Sequence, residues 1–94
     1  MDALIHRSKE EILLLAEKRG ICHVRLFGSM VRDEAGEDSD VDLLVELKPG
    51  CSGFALGGFL MDVSELLNRK VDVVTEKALH PHIKDAVLRE AKAL

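Results

Sequence analysis

The chain has 94 residues, of which 47% are hydrophobic and 32% charged, with a formal net charge of −4. These values predict a soluble single domain over residues 1–94 with one hydrophobic core, and no apolar run approaches the roughly 20 residues that span a bilayer. The cations are scattered and the only aromatic residues are three phenylalanines, so neither a membrane nor nucleic acid is expected as a partner.

Hydrophobic periodicity predicts six main elements, in the order helix 2–19, strand 21–27, strand 41–47, helix 55–68, strand 71–75 and helix 79–94. A short helix over 30–34 is predicted directly after Gly28 and Ser29. Because a helix separates the last two strands, a crossover connection is favoured, and we expect an α/β (α+β) fold with a mixed sheet. Alternation along the first strand predicts two faces, one with Cys22, Val24 and Leu26 and the other with Ile21, His23, Arg25 and Phe27.

The N-terminal residues lack a basic segment followed by a long apolar one, so no secretory signal is expected and the predicted location is the cytoplasm.

Cys22 and Cys51 lack the density of a disulfide scaffold and the paired spacing of a zinc site, and we expect both to be reduced. His80 and His82 flank a proline at the start of the last helix. Surface or capping roles are expected for them.

Asp40 and Asp42 open the second predicted strand and are the most informative pair. An i, i+2 spacing projects both carboxylates from one face of a strand, and such a pair suits Mg²⁺, which binds carboxylate oxygens together with substrate phosphates and water. The alternative is two solvated aspartates at a strand start. Gly28 lets the backbone approach a phosphate, and Ser29 adds a hydroxyl before a helix start with unpaired amides. A triphosphate held between that turn and the aspartates would be positioned for in-line attack at its α-phosphorus.

This combination of motifs resembles the minimal nucleotidyltransferases of the DNA polymerase β superfamily. The resemblance covers nearly the whole chain and rests on Gly28-Ser29, Arg32, Ser39-Asp40-Val41-Asp42-Leu43-Leu44-Val45, Val71-Asp72-Val73-Val74-Thr75 and Leu79-His80-Pro81-His82-Ile83. It implies the nucleotidyltransferase fold, with a sheet of about three to four strands packed with helices.

The resemblance also implies a role for each matching residue. The nucleotide-binding residues would be Gly28, Ser29, Arg32 and Ser39. The catalytic and metal-binding carboxylates would be Asp40, Asp42 and Asp72. The first two aspartates would hold two Mg²⁺ ions, and Asp72 would activate the attacking hydroxyl. Without the resemblance, Asp72 is an ordinary polar residue on a half-exposed strand. The chain departs from the family at Val31, where many relatives have a small residue, and at Asp33, where they have glycine.

Many minimal nucleotidyltransferases with this motif resemble antitoxins that silence a HEPN-domain ribonuclease by transferring AMP from ATP to a tyrosine hydroxyl. The resemblance therefore implies a Mg²⁺-dependent protein adenylyltransferase with ATP as substrate and a HEPN toxin as partner. The chain contains no tyrosine, so the acceptor belongs to another chain. One alternative is an antitoxin that binds and occludes its toxin with weak or no catalysis; the three aspartates argue against a decayed site, but the extra charge of Asp33 keeps this alternative open. The other is nucleotidyl transfer to a small molecule. Nucleotide preference, strand order and homo- or hetero-oligomeric state stay open.

Overall fold

The computed structural model describes residues 3–32 and 40–94. Within these ranges, helices pack against a four-stranded mixed sheet, which confirms the predicted fold class. The main elements are α1 (Ala3–Lys18), β1 (Ile21–Phe27), β2 (Val41–Leu47), α2 (Phe54–Leu67), β3 (Val71–Thr75), α3 (Pro81–Glu90) and β4 (Lys92–Ala93). Short 3₁₀ helices, Gly28–Met30 and Glu76–Ala78, follow β1 and β3.

The strands lie in the order β3-β2-β1-β4. β2 is antiparallel to β1 and parallel to β3, while β4 adds to the free side of β1 as an antiparallel strand. Helix α2 provides the crossover that two parallel strands need. As a result, the end of β1 and the starts of β2 and β3 meet at the same edge of the sheet, where Phe27 is the partner of Asp42 and Asp42 is the partner of Asp72.

The hydrophobic core is divided unequally between the two faces of the sheet. Helices α1 and α2 cover one face, where Phe59, Ile12 and Leu43 are fully buried. Side chains of this kind each contribute about 1.5–3 kcal/mol when removed from water. Helix α3 covers part of the other face through a smaller cluster of Leu44, Leu79 and Val87. No helix in residues 3–32 and 40–94 is long and apolar enough to cross a membrane.

A β-bulge interrupts β1, and the predicted regular alternation of this strand is wrong. Cys22 is the partner of Glu46 but Arg25 is the partner of Leu44, so β1 contains one residue more than β2 over this interval. His23 lies in the bulge with a φ of 51°. The extra residue changes which side chains face inward, and Ile21 is buried in the same cluster as Val24 and Leu26.

The last helix is shorter at both ends than predicted. It begins at Pro81, and the His80 Nδ1 atom accepts a hydrogen bond from the His82 backbone N–H at 3.2 Å, which confirms a capping role for His80. It ends at Glu90, after which the chain becomes extended and forms β4. The Leu94 N–H then donates to the Val24 carbonyl at 3.0 Å. Strand pairing is favoured there because β1 would otherwise leave its edge groups unpaired.

Candidate active site

The three predicted catalytic carboxylates lie at the edge of the sheet where β2 and β3 begin. Asp42 and Asp72 are direct partners in the parallel register, which projects their side chains from the same face. Asp40 stands just before β2, two residues from Asp42 on the same strand path. Asp40 and Asp42 are half-buried, whereas Asp72 is exposed. The fold therefore brings together Asp42 and Asp72, which are 30 positions apart in the chain.

Negative charge accumulates around Asp42. Burial raises the pKa of the Asp42 carboxyl above its ordinary value, and the neighbouring carboxylates of Asp72 and Asp40 raise it further. The Arg32 guanidinium opposes this effect and Glu90 adds to it. A carboxylate whose ionised form is disfavoured by burial and by like charges would be stabilised by a bound cation.

Mg²⁺ fits this donor set because it prefers carboxylate oxygens. Asp40, Asp42 and Asp72 supply only such oxygens, and their mutual repulsion is the property that a divalent cation relieves. Lys70, which precedes β3, partly offsets the charge: its Nζ lies 3.8 Å from Oδ2 of Asp40. The Lys70 side chain is 74% exposed, so a metal ion could displace this contact at little cost.

Gly28 begins the turn that follows β1 and lies directly against Asp42. Its φ is 78°, a region that favours glycine. A Cβ atom at this position would collide with Oδ2 of Asp42 and would lie 3.4 Å from its Cγ. Glycine is therefore required both for the backbone conformation and for the close approach of the turn to the carboxylate.

The turn after β1 is described as far as Arg32, so the helix predicted over 30–34 lies partly outside the described residues. The backbone N–H groups of Val31 and Arg32 both donate to the Gly28 carbonyl, at 3.1 and 3.3 Å, and the 3₁₀ helix covers Gly28–Met30 only. Ser29 is half-buried within it. Asp33 and Ser39 lie outside the described residues, so their predicted roles stay predictions.

Glu90, at the end of α3, also joins this site, and no residue pattern predicts that it does. The Gly28 N–H donates to Oε1 of Glu90 at 2.9 Å. Nη1 of Arg32 donates to both carboxylate oxygens, at 3.1 and 2.9 Å. The sequence pattern placed Glu90 inside a helix over 79–94 and could not indicate this contact, because it joins residues 62 positions apart.

The residue patterns and the geometry agree with the comparison to known proteins. Residues 9–94 match the family model described as the nucleotidyltransferase domain. The chain belongs to this nucleotidyltransferase family. Among its relatives is MJ0435 of Methanocaldococcus jannaschii, named as a candidate protein adenylyltransferase, which is 38% identical over 87 residues covering 93% of this chain and 94% of the relative. Another is the protein adenylyltransferase MntA of Thermococcus cleftensis, 36% identical over 90 residues covering 96% of this chain and 88% of the relative.

Solved structures of the family share the fold. A candidate minimal nucleotidyltransferase superposes with a TM-score of 0.85 at 40% identity, covering 100% of this chain and 97% of the other. The MNT antitoxin bound to a tri-AMPylated Shewanella oneidensis HEPN toxin has a TM-score of 0.69 at 18% identity, covering 94% of this chain and 69% of the other. At that identity the likeness shows the fold alone. The predicted family and its nucleotidyltransferase fold are confirmed.

Proposed function

We propose that this chain is an antitoxin that transfers AMP from ATP to a tyrosine hydroxyl of a HEPN ribonuclease toxin, in a reaction that requires Mg²⁺. Membership of the nucleotidyltransferase family supports the reaction class, and the names of two relatives as protein adenylyltransferases support a protein acceptor. The toxin partner is supported by the fold shared with an MNT antitoxin in complex with an AMPylated HEPN toxin.

The observation that carries the proposal is the partnering of Phe27, Asp42 and Asp72 across three strands. This register gathers carboxylates at the same edge as the Gly28 turn, which is the arrangement that a metal-assisted attack on a triphosphate requires. Because the described helices share one sheet, we also propose that residues 1–94 form a single domain.

Each residue has a definite task in the proposed reaction. Gly28, Ser29, Arg32 and Ser39 bind the phosphates. Asp40, Asp42 and Asp72 would hold two Mg²⁺ ions, and these ions would supply positive charge to neutralise the charge that develops on the phosphate oxygens. Asp72 accepts the proton of the tyrosine hydroxyl. The tyrosine oxygen then forms a bond to the α-phosphorus as the bond to the bridging oxygen of the β-phosphate breaks. Pyrophosphate leaves and AMP stays on the partner.

The proposal is tested by incubating the chain with a HEPN-domain protein from the same genome, ATP and Mg²⁺, and measuring the intact mass of both proteins. We expect the HEPN protein to gain the mass of one or more AMP groups. Asp42→Asn should reduce the rate by at least about 100-fold, because it removes a metal ligand while preserving shape. Glu46→Gln, an exposed position on the same strand, is the matched control and should leave the rate unchanged.

The same experiment tests inhibition by occlusion. If the partner gains no mass, and Asp42→Asn inhibits the ribonuclease as well as the unchanged chain does, the catalytic proposal is wrong and binding alone explains the inhibition. Repeating the reaction with cytidine, guanosine and uridine triphosphates identifies the preferred nucleotide.

A further inference from the structure

Glu90 connects the end of α3 to the two groups that are proposed to contact the nucleotide phosphates. Its Oε1 atom accepts from both the Gly28 N–H at 2.9 Å and Arg32 Nη1 at 3.1 Å, and its Oε2 atom accepts from Arg32 Nη1 at 2.9 Å. These are charge-assisted bonds, which are about twice as strong as bonds between neutral groups. Only 25% of the Glu90 side chain is exposed, and its bond from the Gly28 N–H is partly buried, whereas the Arg32 side chain is 48% exposed.

The position of Glu90 is well defined by the fold around it. It is the last residue of α3, which is anchored by the burial of Val87 one turn earlier. The residues after it form β4, which pairs with β1 just before Gly28. Glu90 is thus fixed by packing on one side and by strand pairing on the other, whereas the exposed Arg32 side chain lies on a short turn. The more constrained residue should therefore orient the less constrained one.

We infer that Glu90 is a positioning residue for nucleotide binding: its carboxylate holds the Gly28 amide and the Arg32 guanidinium in one orientation beside Asp42, ready for the triphosphate. The inference rests on the proposed function, because it takes Gly28 and Arg32 as phosphate contacts. A side chain ordered before binding costs no conformational entropy when the ligand arrives, so this tether increases the affinity for nucleotide.

The test compares Glu90→Ala, Glu90→Gln and the unchanged chain in the AMP-transfer reaction, with KM for ATP and kcat measured separately. Loss of hydrogen bonds to a charged group predicts a rise in KM of about 10- to 100-fold for Glu90→Ala. Glu90→Gln retains an acceptor oxygen for the Gly28 amide, so its KM should lie between the other two. The kcat of both variants should change much less than KM, whereas simple loss of folded protein would lower apparent kcat at constant KM.

Asp85→Ala is the matched control, because Asp85 is an exposed acidic residue on the same helix. Its KM should equal that of the unchanged chain, and thermal unfolding of all variants should verify that they are folded. A KM that falls in Glu90→Ala would overturn the inference, since it would mean that the carboxylate blocks the phosphate site. An unchanged KM in that variant would overturn it as well.

The dissociation constant for a non-hydrolysable ATP analogue with Mg²⁺, measured by calorimetry, separates this inference from the proposed function. If the chain binds the analogue but transfers no AMP, the proposed function fails. A larger dissociation constant for the analogue in Glu90→Ala would still support the positioning role. If AMP transfer proceeds and Glu90→Ala changes neither the KM for ATP nor the dissociation constant for the analogue, only the positioning role fails. If the unchanged chain binds no nucleotide, both are wrong.

Discussion

The backbone takes a positive φ inside β1, at His23, and again directly after the strand, at Gly28, and the two places differ in what surrounds them. His23, in the bulge, has a φ of 51°, and Gly28, just past the strand end, has a φ of 78°. At Gly28 an added Cβ would collide with the Asp42 carboxylate. His23 carries a full side chain, which is exposed and points toward solvent beside Cys22 and Glu46.

The comparison shows that backbone conformation alone does not identify the functional end of the strand. At the bulge, the potential ligand atoms of Cys22, His23 and Glu46 lie within 4.8 Å of one another, but Glu46 also contacts Arg25, whose Nη2 is 3.6 Å from its Oε1. At the other end, burial raises the pKa of the Asp42 carboxyl, and the neighbouring carboxylates of Asp72 and Asp40 raise it further. The Gly28 end is distinguished by the close approach of the turn to a half-buried carboxylate that has other carboxylates beside it.

The largest effect is expected for Gly28→Ala. The new Cβ must displace Asp42 or move the turn, and the backbone must keep a conformation that costs about 1–3 kcal/mol for residues other than glycine. We expect the free energy of unfolding to fall by that amount in urea titrations. Transfer activity should fall by roughly 100-fold, because phosphate contacts and metal ligand shift together.

Gly57→Ala provides the control for that substitution. Gly57 lies in α2, and no atom would lie within 4 Å of its added Cβ. Alanine is favoured over glycine in a helix by about 1 kcal/mol, so this variant should be more stable than the unchanged chain and equally active. Equal destabilisation by both variants would contradict the requirement for glycine at position 28.

A smaller effect of opposite sign is expected for His23→Gly. A left-handed conformation costs a histidine about 1 kcal/mol more than a glycine, and the exposed imidazole loses few contacts on removal. Urea titration should therefore show a gain of about 0.5 kcal/mol, after part of the benefit is offset by the greater freedom of glycine in the unfolded chain. His6→Gly, at an exposed position in α1, should instead destabilise the protein. A similar decrease in the free energy of unfolding in both variants would show that the backbone is not strained at His23.

Periodicity was sufficient to predict the three long helices, apart from the ends of the last one, and the three long strands, whereas Asp72 was assigned to the site only through the family resemblance. Asp40 and Asp42 could be assigned to one face because a strand repeats every two residues, and Val41, Leu43 and Val45 are buried on the opposite face as that repeat requires. The crossover through α2 made it reasonable to expect Asp72 nearby. These features depend on local pattern or on a common rule of connection.

The features that sequence reasoning missed depend on contacts between distant segments. The bulge at His23 is defined by the register of β1 against β2. The residues of β1 that are buried therefore cannot be predicted from the sequence of β1 alone. The pairing of Lys92 with Leu26 ends a helical pattern that continued to Leu94. Glu90 is assigned to the site only when α3 has packed against the sheet. In each case, strand pairing or packing against a distant segment overrides the local conformational preference of the sequence.

The smallest expected effect concerns pH and Asp42, measured as the melting temperature in EDTA, which removes divalent cations. A carboxyl whose pKa is higher in the folded than in the unfolded chain contributes stability that is fully present below the unfolded pKa and is lost as pH rises through the folded pKa. Ionised Asp42 therefore destabilises the fold at pH 7. Asp42→Asn should melt at a higher temperature than the unchanged chain at pH 7, and the difference should shrink toward pH 4. Asp85→Asn, at an exposed position on α3, should show no such trend. A difference that grows on acidification would contradict the charge accumulation that distinguishes the Gly28 end from the bulge.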